Sequence, residues 1–277
     1  MLTRKKIMEE LINKGYTVEL HDVVKNGVEL QGITMGNGNI RPTIYVNDFL
    51  ERYDDELDGV IEAIIEMYND AKEETFDIEH ISEWDFVKTK LQLCLQKKGN
   101  ENIVKRDFLD LEQYIRVIVD SDENGNSSFK VAPNFLETWN ITEDILFNAA
   151  WDCTKPTLIE RNMLQIMSQM TGMSVEEIKI MMGDTPGQIV LTNNTGINGA
   201  IAMCDSWLLG EIADRYKSDL VILPSSIHEI IVLPMTEKEL SVYDRMVYEV
   251  NEEQLPPEEV LSNHAYRFDR NIMKIIW

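Results

Sequence analysis

The sequence predicts an α+β fold of repeated β-hairpin–helix units, with an antiparallel sheet and flanking helices. Three observations predict it. Asn-Gly turns separate short β-prone runs, the apolar spacing then switches to a helical period, and one such stretch recurs 86 residues later. With 277 residues, 44% of them hydrophobic and 27% charged, the chain has the composition of a globular protein and the length to bury a sizeable core.

Taken in order, MLTRKKIMEELINKGY reads as a short amphipathic helix. Acidic Glu9 and Glu10 stand where the apolar segment of a signal peptide would continue, so a cytoplasmic location is expected. No apolar run approaches the ~18–20 residues that cross a bilayer. Strands follow at 16–20, 28–33 and 43–46, with turns at Lys25-Asn26-Gly27 and Gly36-Asn37-Gly38-Asn39. From 54 to 71 the period is helical, with Leu57, Ile61, Ile64 and Tyr68 on one face. Residues 82–96 read as a connecting helix. Strands at 114–119 and 129–131 then flank an Asn124-Gly125 turn. A Met-rich helix near 162–173, a strand at 188–192 and a helix at 200–216 come next. The chain closes with a hairpin of LVIL and IIVLP and a helix at 236–250.

The recurrence is ungapped. VNDFLERYDDELDGVIEAI from Val46 aligns with APNFLETWNITEDILFNAA from Ala132, placing Phe49, Leu50, Glu51, Asp58 and Ala63 opposite Phe135, Leu136, Glu137, Asp144 and Ala149. A looser third copy starts at Asp219. The organisation expected is therefore three units, 1–80, 81–186 and 187–277.

RPTIYVNDF, FLETWNITEDILFNAAWDCT and NTGINGA with SDLVILPSSIHEIIVLP resemble an uncharacterised bacterial family known only as a domain of unknown function, typical of anaerobic Gram-positive bacteria. The resemblance spans nearly the whole chain. It implies a bacterial, whole-length unit and supplies no activity or functional residue.

No catalytic signature is present, and no cofactor or metal site is expected. Asp120-Ser121-Asp122-Glu123-Asn124-Gly125 matches the opening of a calcium loop, but its twelfth position is Val131 rather than a bidentate Glu, so it reads as a hairpin turn. The four histidines share no i,i+4 face, and Cys94, Cys153 and Cys204, in contexts read as helical, form no CxxC. Two loops are candidates for a small ligand. Asn194, Thr195 and Asn198 lie in a Gly-containing loop before a helix, where free amides hold anions. Ser225, Ser226, His228 and Glu229 gather a hydroxyl, an imidazole and a carboxylate within one turn, without the Gly-x-Ser-x-Gly elbow of a hydrolase.

Charge is the strongest lead. The 49 acidic and 26 basic residues give a net of −23, which disfavours direct contact with nucleic-acid phosphates or an anionic membrane and suits a basic protein partner. Residues 48–85 hold 15 acidic and two basic side chains, a net of −13. Within them Asp58, Glu62, Glu66, Asp70 and Glu74 recur at i,i+4, making a helical ridge with about 6 Å of rise per step. Either the ridge is a solvated face, or it is a docking surface. The leading expectation is a non-enzymatic acidic interaction protein. The alternatives are a nucleic-acid mimic inhibiting a DNA- or RNA-binding protein, and a hydrolase or small-ligand enzyme using the 194–199 and 224–229 loops.

Overall fold

A computed structural model describes residues 2–36, 43–52, 57–73, 80–122, 125–182, 187–224, 226–236 and 239–277. The fold is α+β with antiparallel sheets, as expected. The chain divides into two compact units, Met1–Ile78 and Glu79–Trp277.

The first unit contains α1 (Arg4–Asn13), β1 (Val18–Lys25), β2 (Val28–Met35), β3 (Thr43–Tyr45), α2 (Asn47–Arg52) and α3 (Leu57–Glu73). Its three strands pair in the order β1-β2-β3. Asn26 (φ 50°) and Gly27 (φ 79°) join β1 to β2 with both central residues left-handed, the turn their sequence specifies. Lys25 pairs with Val28 across it. Thr3 caps α1 by accepting from the Lys6 amide. The core is Ile7 and Leu11 of α1, Ile33, Met35 and Ile44 of the sheet, and Val60, Ile61, Ile64 and Tyr68 of α3. The Gly36–Asn39 turn falls largely outside the described residues.

The second unit begins with α4 (Trp84–Val87), β4 (Leu91–Lys97), β5 (Lys105–Phe108), β6 (Leu111–Asp122), β7 (Gly125–Lys130), α5 (Asn134–Trp139) and α6 (Glu143–Thr154). β6 is the centre of a four-stranded sheet, with β4 on one side and β5 and β7 on the other. There follow β8 (Leu158–Asn162), α7 (Met163–Thr171), α8 (Val175–Met182), β9 (Ile189–Asn193), α9 (Ser206–Tyr216), β10 (Leu220–Leu223), β11 (Ile230–Pro234), α10 (Ser241–Gln254), β12 (Tyr266–Asp269) and β13 (Lys274–Ile276). Their strands form a six-stranded sheet in the order β13-β12-β10-β11-β9-β8. Leu93 and Leu95 of β4, Ile115 of β6, Leu146 of α6, Ile212 of α9 and Leu191, Ile222 and Phe268 of the larger sheet share one core. The other face of that sheet packs Val221 and Leu233 against Tyr243 and Val247 of α10. No seam falls at 186/187, because β8 pairs with β9 and the core draws on residues from both sides.

Several expectations are corrected. Residues 91–97 are strand β4, not helix, and only Trp84–Val87 of that segment is helical, so Cys94 lies in a sheet. Leu91, Leu93 and Leu95 face the core with period two, and only Cys94, apolar and buried between Leu93 and Leu95, interrupts the polar positions that alternate with them. The expected helix at 200–216 is a 3₁₀ turn, Gly199–Cys204, and then α9, which opens where the Asp205 carboxylate accepts from the Trp207 and Leu208 amides.

The two matched stretches are locally alike. Phe49 and Leu50 lie in α2, Phe135 and Leu136 in α5, all four half-buried. Each short helix follows a strand and precedes a longer helix, but the sheets before them differ in strand number and order. No helix among the described residues is long and apolar enough to cross a membrane.

Candidate functional site

The acidic ridge belongs to α3. Val60, Ile61, Ile64 and Tyr68 recur at three- and four-residue spacing and are at most 7% exposed, which fixes one face of the helix inward. Burying Ile61 and Ile64 stabilises the helix by about 1.5–3 kcal/mol each, against about 0.2–0.5 kcal/mol of repulsion per i,i+4 acidic pair. The packing wins, so the helix tolerates the charge without compensation. Asp58, Glu62, Glu66 and Asp70 are all exposed, and Glu74 lies outside the described residues. Each four-residue step turns the ridge by about 40°, so it winds roughly 120° from Asp58 to Asp70.

Among the described residues, none of these four carboxylates makes an ion pair. In the second unit exposed Glu249, Glu252 and Glu253 of α10 are likewise without an ion pair among the described residues, but other carboxylates are held by cations. Arg106 binds Glu143 at 2.7 Å and Asp144 at 2.5 Å, Arg215 grips Glu160 through two 2.7 Å hydrogen bonds, and Lys130 meets Glu101 at 2.6 Å. Arg267 and Arg270 converge on Asp219. Burial alone would raise that carboxyl, but the Arg270 amide and the Arg267 guanidinium hold it below the usual carboxylate range.

The two candidate loops meet. Asn193, 1% exposed, organises the first: its Oδ1 accepts from the Thr195 and Ile197 amides, and its Nδ2 donates to the Ile197 carbonyl at 2.7 Å. Asn198 is left-handed (φ 57°), and its amide donates to His228 Nδ1 at 3.2 Å. The Thr192 hydroxyl donates to the His228 carbonyl at 2.8 Å. Gly199 sits where a Cβ would come within 2.4 Å of Thr192 Oγ1, 2.5 Å of the Asn193 nitrogen and 2.7 Å of the His228 oxygen. Only glycine fits that approach.

This convergence is a structural clamp. Because His228 Nδ1 accepts, the neutral ring carries its proton on Nε2, which faces Glu259 Oε1 at 3.5 Å. Ser226 is buried and its Oγ accepts from the His228 amide at 3.0 Å, so hydroxyl and imidazole each serve a backbone group instead of each other. Ser225 lies outside the described residues, and Glu229 is half-buried. A groove of about 480 Å³ opens beside Asn194 and Thr195, but Ser226, His228 and Glu229 do not line it. The hydroxyl–imidazole contact that nucleophilic catalysis needs is not found among the described residues of these loops.

The calcium-like segment is the β6–β7 hairpin, in which Asp122 pairs with Gly125. Among the described residues no three His, Cys, Asp or Glu side chains gather as metal ligands. The three cysteines are free, and burial pushes the Cys94 and Cys204 thiols up to about 12.

Two polar clusters escaped sequence reasoning. On the outer face of the four-stranded sheet, Gln96 Nε2 donates to Glu112 at 2.8 Å and Lys130 donates to Gln96 at 2.9 Å, while Lys105 pairs with Glu112 at 3.1 Å. Elsewhere Asp110 receives the Tyr266 hydroxyl at 2.7 Å and faces His264 Nε2 at 2.9 Å. The period-two polar positions of β4 and β6 signal the first cluster. Nothing local signals the second, whose members stand 154 residues apart.

A family model matches residues 3–270. The chain belongs to DUF5688, a family of unknown function. No curated protein and no solved structure matches the chain. Membership in DUF5688 thus brings no reaction with it, and function rests on the geometry above.

Proposed function

We propose that the protein is a non-enzymatic acidic interaction protein of the bacterial cytoplasm, binding a basic protein partner through the exposed face of α3. The observation carrying this reading is a run of four exposed carboxylates at i,i+4 along one helix, none of them in an ion pair among the described residues. Arg106, Arg215, Arg267 and Lys130 hold carboxylate partners, whereas Asp58, Glu62, Glu66 and Asp70 stand exposed with none among the described residues. Unpaired charge on one ridge attracts an oppositely charged surface and speeds its encounter. Three free thiols suit a reducing compartment, and the resemblance to a family of anaerobic Gram-positive bacteria supports a bacterial setting.

The test is Glu62→Lys combined with Glu66→Lys, read for both partner capture and thermal stability. A docking surface loses a salt-sensitive partner at unchanged or slightly higher stability, because repulsion of about 0.2–0.5 kcal/mol is relieved at the Asp58/Glu62 and Glu66/Asp70 pairs. Capture that survives the double substitution retires the reading. If duplex DNA competes for the captured partner, the ridge acts as a nucleic-acid mimic, for which the rise of about 6 Å between carboxylates is suited.

A further inference from the structure

We propose that the groove at the junction of the two sheets of the second unit binds a small hydroxylated molecule bearing a phosphate or carboxylate group. Its volume, about 480 Å³, is that of a small-molecule site. Four segments build it: the residues leading into β4, the middle of β6, the end of α6 with its following 3₁₀ turn, and the loop after β9. The frame is tied before any ligand arrives. The Ile118 amide donates to the Lys90 carbonyl at 2.8 Å, the Asn194 amide to the Thr157 carbonyl at 3.0 Å, and the Leu93 amide to Thr154 Oγ1 at 2.8 Å.

The lining selects the ligand's chemistry. The chain has 49 acidic side chains, yet none lines this groove among the described residues. Lys90 is the sole charged lining residue, and its ammonium rests 4.4 Å from the Phe86 ring centre with no carboxylate partner among the described residues. An ammonium without a carboxylate partner donates its N–H bonds to an oxyanion that reaches it. Gln92 donates its Nε2 to the Ile197 carbonyl at 3.0 Å and leaves Oε1 buried with no hydrogen-bond partner among the described residues. A buried acceptor calls for a donor such as a ligand hydroxyl. Thr89, Thr157 and Thr195 add hydroxyls at the walls, and Leu91 and Ile118 offer an apolar floor for a short carbon chain.

The experiment uses the full chain with glycerol 3-phosphate, glucose 6-phosphate and malate, against inorganic phosphate and sodium chloride at matched ionic strength. The expected result is saturable calorimetric binding of at least one of the three, with Kd raised about tenfold or more by Lys90→Gln. Preference for the phosphate esters or for malate identifies the oxyanion. General stabilisation by kosmotropic anions acts on the whole surface and persists in Lys90→Gln, which separates it from the site. Asn194→Ala, at an exposed position, gives a second variant that leaves the core intact and weakens the same binding. Cys153 lines the groove as a half-buried thiol, so its alkylation, followed by peptide mapping, slows when the probe is bound. The proposal is overturned by absence of saturable binding up to about 10 mM for all three probes, by affinity unchanged in Lys90→Gln, or by inorganic phosphate binding as tightly as its esters. None of these outcomes bears on the α3 ridge.

Discussion

At position 228 an imidazole accepts a hydrogen bond from the amide of Asn198, a residue only 3% exposed. Removing the ring orphans that amide, and a buried donor without a partner costs about 1–3 kcal/mol. His228→Ala is therefore expected to lower the unfolding free energy by that amount in chemical denaturation. His228→Asn, which keeps a side-chain acceptor, recovers part of the loss. An alanine scan showing no change at 228 would mean the clamp is dispensable. At Gly199 the added methyl meets backbone atoms at 2.5 and 2.7 Å as well as Thr192 Oγ1 at 2.4 Å, and the backbone cannot swing aside, so Gly199→Ala is expected to cost at least the ~1–3 kcal/mol typical of overpacking.

Among the elements, the ones read correctly carried their information locally. Asn26-Gly27 needs two left-handed residues, α3 shows its apolar stripe within a single helix, and β10 and β11 flank one turn. The acidic ridge was legible for the same reason. What stayed hidden depended on distant partners. β5, β8, β12 and β13 are three to five residues long, and β12 finds β10 across a whole helix. The groove draws on four separated segments, so no window of sequence contains it. The offset of 86 still makes a claim at this scale. If α2–α3 and α5–α6 descend from one unit, their backbones superpose with Phe49 on Phe135 and Leu50 on Leu136, each pair packing toward its own unit's core. An experimental structure placing the pairs on different helix faces would reduce the match to coincidence.

For the molecule as a whole, the net charge of −23 works against compaction, and the ion pairs of the second unit offset part of it. Asp219 gives this a pH dependence. Its folded-state pKa lies below the unfolded value, so its contribution is complete above the ordinary carboxylate range and is lost as pH falls through the depressed value. Asp219→Asn should therefore unfold at lower denaturant than the parent at pH 7, with the gap closing as pH falls below the ordinary carboxylate range. A gap that stays constant with pH would assign the effect to packing alone. The division at 78/79 makes a parallel expectation: a fragment of 79–277 retains its own core and unfolds cooperatively.

The six-stranded sheet ends on β8 and β13, and a terminal strand leaves one row of amides and carbonyls open. Exposed Glu160 and Arg161 stand on the first rim and exposed Lys274 on the second. A neighbouring copy that added a strand there would have to bring charge against charge and strip it of water. Charge at these three positions is therefore expected to oppose fibre growth. Replacing the three residues together with Val removes the surface Glu160–Arg215 pair, at a cost of about 0–1 kcal/mol, and should keep the chain folded while light scattering rises on storage, as sheets extend from one molecule into the next.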